Sequence, residues 1–134
     1  VSGATDLTEI LRALRVERRP EEVTVLTVPD GTAPALGVGV LALVAEAEGT
    51  TVVATVAEAE RRGWPVDFRA AWLTIAVHTS LEAVGLTAAL STALGEAGIA
   101  CNVLAGHHHD HLLVPADRAD DAIAAIERLS GQDR

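Results

Sequence analysis

Residues 72–78 read WLTIAVH, with Leu73, Ile75 and Val77 alternating against Trp72, Thr74, Ala76 and His78. A period of two is the mark of a strand that buries one face, so the segment is predicted as a strand. After a linking segment, Thr79 to Gly85, the period changes. Leu86, Leu90 and Leu94 recur every four residues with Ala89, Ala93 and Ala97 beside them, predicting a helix that stops at Gly98 as a C′ glycine. Ile99 to Gly106 then reads as a strand, His107 to Asp110 as a turn and His111 to Val114 as a further strand. From Asp117 to Leu129, Ala119, Ala122, Ile123, Ile126 and Leu129 share one helical face, and Asp117, Asp120 and Asp121 sit at its positive end. The order β-α-β-β-α is a ferredoxin-like split βαβ unit that lacks its final strand.

The first half reads as a worn version of the same pattern. Leu7, Ile10, Leu11 and Leu14 predict a helix from Asp6 that ends near Arg18 and Arg19, before Pro20. Glu22 to Val28 is a β-branched strand closed by Pro29-Asp30-Gly31. Val40 to Ala47 and Thr51 to Thr55 predict two strands around a turn at Glu48-Gly49-Thr50, followed by a short helix from Val56 to Arg62. Together these predict an α+β protein of two tandem incomplete βαββαβ units, residues 1–68 and 69–134, each with an antiparallel sheet and helices on one face. An unpaired sheet edge is a liability, so the two incomplete units are expected to complete each other, either within the chain, by a strand of the first completing the second, or between chains.

The chain has 134 residues, with 10 arginines and no lysine against 19 acidic residues, a formal charge of −9. That sign disfavours nucleic acid and anionic membrane as partners, and three aromatic residues, Trp64, Phe68 and Trp72, leave little for base stacking. The longest nearly apolar run, Ala33 to Ala45, is interrupted by Pro34 and is shorter than the roughly 20 residues of a membrane span. Cys101 is the lone cysteine, and no basic-then-apolar leader precedes Asp6 and Glu9; the expected location is the cytoplasm.

Ala83-Val84-Gly85-Leu86-Thr87-Ala88-Ala89-Leu90, followed by Leu94-Gly95-Glu96-Ala97-Gly98-Ile99-Ala100-Cys101-Asn102-Val103, resembles the ACT domain. ACT domains are the amino-acid-sensing regulatory modules of aspartokinases, and the arrangement is closest to small stand-alone bacterial proteins with two tandem ACT-like units. The resemblance covers Thr74 to Leu129 through its motifs and the first half through its order of elements. It implies a regulatory, non-catalytic protein, a homodimer with no cofactor, binding a small amino acid or related metabolite at the loop between the first strand and helix. Carried onto this chain, the ligand-binding residues are His78, Thr79, Ser80, Glu82, Val84, Gly85 and Leu86, with Asn102 and Val103 on the facing strand. The chemistry is sensible in itself: a helix N-terminus suits a carboxylate, Gly85 lets backbone approach a ligand, and Glu82 or Asn102 suits an ammonium.

The His107-His108-His109-Asp110-His111 run departs from the Ser/Thr-rich stretch of the aspartokinase units. A metal held by His107, His109 and His111 is the alternative it raises, but metal sites usually draw on separated elements, and a polar hairpin without metal is expected. Gly37-Val38-Gly39-Val40-Leu41-Ala42 fits G-x-G-x-x-A, yet a strand rather than a helix follows, so a loop or bulge is expected. Cys101 lies in an apolar stretch with no base partner and is read as a small core residue. A ligand-free dimerisation module is the other reading of the same surfaces.

Overall fold

The computed structural model describes residues 7–77 and 85–131. In chain order its elements are α1 (Leu7–Ala13), β1 (Val16–Arg18), β2 (Val23–Val28), β3 (Val40–Glu46), β4 (Gly49–Thr55), α2 (Val56–Arg62), β5 (Ala70–Ile75), α3 (Leu86–Glu96), β6 (Asn102–Ala105), β7 (Asp110–Pro115), a 3-10 turn (Ala116–Arg118) and α4 (Ala119–Leu129). They form two compact units: Pro20–Ala70, and the residues up to Arg19 together with those from Ala71 onward.

In the Pro20–Ala70 unit, β4 lies between β2 and β3, antiparallel to both, and Val23 of β2 pairs with Ala70. Between β2 and β3 the chain runs through 29–39 with no helix, in the place where a ferredoxin-like unit carries its first one. One helix therefore covers this sheet. Thr55 caps α2, its hydroxyl accepting from the Glu58 amide at 3.1 Å, and Gly63 ends it at φ +73, its amide donating to Glu60 O and that of Trp64 to Ala59 O. Val28, Val40, Val52 and Ala54 form the core, with Leu26, Leu43 and Trp64 packed against it.

The hairpin β3–β4 turns on Ala47 and Glu48, one residue earlier than predicted, so that Gly49 is already in β4, opposite Glu46. Gly49 has φ +141, and a Cβ there would lie 2.6 Å from the Val28 carbonyl oxygen. Because that neighbour is backbone, nothing can swing aside. Gly49→Ala is expected to destabilise the protein by about 2–3 kcal/mol in urea denaturation. Gly95→Ala, inside α3 with open space at its Cβ position, is expected to stabilise by about 0.5–1 kcal/mol in the same experiment.

In the other unit, β6 pairs with β7, β7 neighbours β5, and β1 pairs antiparallel with β5, Val16 opposite Ile75 and Arg18 opposite Leu73. The missing final strand is thus β1, as expected of a strand from the first half. It lies where a continuous helix to Arg18 is predicted: α1 stops at Ala13 and the chain turns extended at Val16. The Arg19 amide donates to Trp72 O at 2.9 Å and the Ala76 amide to Arg15 O at 2.7 Å, extending the pairing past both ends of β1. Tertiary pairing with β5 has overridden the helical period here.

Ala71, Leu73 and Ile75 of β5 and Leu112 and Val114 of β7 face a core completed by Ile10, Leu14, Leu86, Leu90, Leu94, Ala122 and Ile126. α3 ends at Gly98 as predicted. The Gly98 amide donates to Gly95 O and that of Ile99 to Leu94 O, while Ile99 and Leu94 are buried together. This paired-bond stop fixes where the chain leaves the helix to start β6. The strand β6 begins at Asn102, three residues later than the predicted Ile99, and β7 begins at Asp110.

Candidate functional site

The residues singled out by sequence divide into three places. His78, Thr79, Ser80, Glu82 and Val84 lie outside the described residues. Gly85 and Leu86 open α3, and Asn102 and Val103 open β6.

Gly85 is the N-cap of α3 with φ +103, and among the described residues no side chain caps the first turn. Its carbonyl accepts from the Ala89 amide at 2.9 Å, starting the helix, while a Cβ at Gly85 would meet Leu7 Cδ2 at 3.1 Å. The left-handed backbone and the Leu7 contact both favour glycine at this position. Leu86 is buried in the core, where it anchors the helix rather than lining an open surface.

Asn102 is exposed and Val103 half-buried against the core. Asn102 stands opposite Leu113, and β6 has a paired strand on one side only among the described residues. Just past β7, Arg118 Nη2 donates to the carbonyl of Ala97, the C-cap of α3. Asn102 therefore lies at the C-terminal end of α3 and Gly85 at the other end. An 11-residue helix is about 16 Å long, so one unit does not bring these two residues together.

The face of this sheet turned away from α3 and α4 carries a polar aromatic cluster. Alternation in β5 and β7 sends Trp72, Thr74, His111 and Leu113 there, opposite to the core residues. Trp72 Nε1 donates to Thr74 Oγ1 at 3.2 Å, and Thr74 Oγ1 lies 3.0 Å from His111 Nδ1. The Trp72 and His111 ring centroids are 5.0 Å apart. The His111 ring also covers Gly106, where a Cβ would come within 3.3 Å of Nε2. Burial, with help from neighbouring His109, pushes the His111 imidazole below the usual histidine range, against a smaller opposite pull from Asp110. Alternation along WLTIAVH places Trp72 and Thr74 on one face; the partner His111 depends on strand register, which the sequence does not display.

The histidine run divides differently from the predicted grouping of His107, His109 and His111. His107 stacks edge-on against His108 at 4.9 Å, while His109 and His111 are 6.5 Å apart. No group of three or more metal-ligating side chains among the described residues is arranged to hold a metal ion. Cys101 is half-buried and burial raises its thiol pKa, the opposite of what activates a nucleophile. Gly37 to Val40 is a tight turn closed by two backbone bonds, not a phosphate loop before a helix.

A group of charged side chains lies on α2. Glu58 pairs with Arg61 and Arg62, whose hydrogen bonds hold its carboxyl below the usual range against a smaller effect of burial. A Cβ at Gly39, which has φ +87, would lie 2.7 Å from Glu58 Cβ. Arg62 in turn lies 4.8 Å from the centroid of Trp64. These contacts tie the 37–40 turn to α2 and need no ligand to explain them.

Two ACT-domain family models match the chain, one over residues 2–71 and the other over 67–128. A crystal structure from Vibrio cholerae, of a protein of unknown function described as a possible transport protein, is 33% identical. It covers 92% of this chain and 95% of its own, with a TM-score of 0.82. The regulatory subunit of aspartate kinase from Thermus thermophilus in its ligand-free form has a TM-score of 0.60 at 11% identity, covering 85% of this chain and 95% of its own. The aspartate kinase of Clostridium acetobutylicum has a TM-score of 0.62 at 10% identity, over 87% of this chain and 34% of the enzyme. At those identities the two kinases show a shared fold. No curated protein sequence matches.

Proposed function

The chain belongs to the ACT-domain family, a family of regulatory ligand-binding modules, and from that premise we propose that it binds a small amino acid or related metabolite without transforming it. The observation that carries this reading is the entry to α3. A glycine with φ +103 at the N-cap has no side chain to cap the first-turn amides, and no other cap is made to them among the described residues, which suits a helix end offering N–H groups to a carboxylate. The proposed ligand shell is the segment His78 to Gly85, with Thr79, Ser80 and Glu82 as its polar groups, and Asn102 for the ammonium.

Because Gly85 and Asn102 stand at opposite ends of α3, the shell is proposed to close across a homodimer, the loop of one copy facing Asn102 of the other. The side of β6 that has no paired strand among the described residues, with Asn102 and Ala105 exposed, supports contact with a second copy. No helix among the described residues is long and apolar enough to cross a membrane, and the proposed setting is the cytoplasm.

Thermal unfolding in the presence of each proteinogenic amino acid tests the reading. A ligand at about 100 times its Kd adds about 2.7 kcal/mol of stability, a rise of several degrees. Gly85→Ala and Asn102→Ala should each abolish that rise. Mixed after unfolding and refolding together, the two variants should recover it in part, since a mixed dimer rebuilds one intact site. A flat screen on a stable dimer would instead favour an assembly module that binds no ligand, a reading also supported by the β6 edge, which has no partner strand among the described residues.

A further inference from the structure

We infer that Leu7 is the selecting wall of the ligand site at the entry to α3, and that the amino acid bound there has an uncharged, aliphatic side chain. The inference rests on the function proposed above and adds a specificity-determining residue to it. A ferredoxin-like unit covers its sheet with two helices; among the described residues this unit has a third, α1, which packs against α3. Its apolar stripe is Leu7, Ile10, Leu11 and Leu14. Ile10 and Leu14 are buried in the core with Leu86 and Leu90, and Leu11 packs against the same cluster. Leu7, the first residue of the helix, is not part of that core. It is half-buried and reaches Gly85 instead: a Cβ there would meet Leu7 Cδ2 at 3.1 Å, with Cδ1 and Cγ at 3.7 and 3.8 Å.

Because Gly85 has no side chain, the leucine methyls lie directly on the backbone of the N-cap, beside the amides that would hold a carboxylate. The side chain of a free amino acid branches one carbon away from its carboxylate, so a ligand seated on those amides keeps its side chain within reach of Leu7. Nothing charged meets it from these two helix ends. The first turn of α3 is Leu86, Thr87 and Ala88, and on α1 the exposed Glu9 stands on another face of the helix, two residues beyond Leu7. An aliphatic side chain placed against Leu7 gains by leaving water, whereas a charged one there gives up hydration without a partner.

Titration calorimetry of the full chain with L-alanine, L-valine, L-leucine, L-phenylalanine, L-aspartate and L-lysine tests this. The unaltered protein should bind valine or leucine at least about tenfold more tightly than aspartate or lysine. Leu7→Ala opens the wall and should move the ratio of Kd values for leucine and phenylalanine about tenfold in favour of phenylalanine. Leu7→Phe fills the same space and should move the ratio for alanine and leucine about tenfold in favour of alanine. Leu11→Ala, on the same helix but packed on the core, should lower the melting temperature and leave both ratios unchanged; it separates selection from the stability of α1. Ratios that stay constant in both Leu7 variants, including an equal weakening of every amino acid, would make Leu7 merely structural and overturn the inference while the proposed function stands. A preference for aspartate or lysine would overturn the aliphatic class in the same way. If none of the six binds, the inference falls, and the full amino-acid screen decides the proposed function separately.

Discussion

A fragment beginning at Ala71 is expected to lose cooperative folding, although it contains all of β5 but Ala70, together with α3, β6, β7 and α4. It lacks Ile10 and Leu14, which are 0% and 1% exposed in the same core as Leu90 and Ile126. Burying each such side chain contributes about 1.5–3 kcal/mol, so the two account for about 3–6 kcal/mol of a net stability of about 5–15 kcal/mol. The fragment also leaves β5 without the strand that pairs along Leu73 to Ile75, exposing an apolar edge. The expected result is a weakly dispersed NMR spectrum and dye binding without a sharp melt. A second chain, joining residues 7–19 to 71–131 through a short Gly-Ser linker, should regain a cooperative melt. Its ends are already adjacent, because the Arg19 amide bonds Trp72 O. A fragment from Ala71 that melts as sharply as this joined chain would show that β1 and α1 are dispensable.

The same segment shows where sequence reading reaches its limit. Leu7, Ile10, Leu11 and Leu14 carry a helical period, and nothing in Val16-Glu17-Arg18 interrupts it before Pro20. A three-residue strand has too little alternation to announce itself; it is made by its partner, β5, far along the chain. By contrast, the stop at Gly98 and the helix between Thr55 and Gly63 were legible because a cap and a left-handed glycine act within a few residues. The alternation in 72–75 and the leucine stripe of α3 were legible for the same local reason, whereas the family was read from the resemblance carried by residues 83–90 and 94–103. The cluster on the opposite sheet face was only half legible. Trp72 and Thr74 share a face by period alone, whereas His111 reaches them through the placement of β7 beside β5. Likewise, Gly85 stands out as a turn residue, but its separation from Asn102 by the length of α3 follows from which end of a helix each occupies.

Leu90→Ala is expected to cost about 2–5 kcal/mol, the largest effect of any single substitution considered. Leu90 is the middle of the stripe Leu86, Leu90 and Leu94, 0% exposed, and lies in the cluster that also holds Leu73, Leu112 and Ile126. Neighbours on a helix and a sheet cannot all move inward, so the truncation leaves a cavity and the loss exceeds the transfer energy of the missing carbons. Leu36→Ala, at a site 63% exposed, serves as the control and should change stability by no more than about 0.5 kcal/mol. Urea denaturation measures both, and an equal shift in the two variants would mean that α3 does not pack on the sheet as described. The Leu90 variant also separates packing from binding. It weakens the body of α3 while leaving Gly85 and the first turn in place. If the ligand binds at that entry, it should still raise the melting temperature of folded Leu90→Ala protein, whereas Gly85→Ala should remove the ligand response. A response lost equally in both would assign binding to the integrity of the whole helix and not to its first turn.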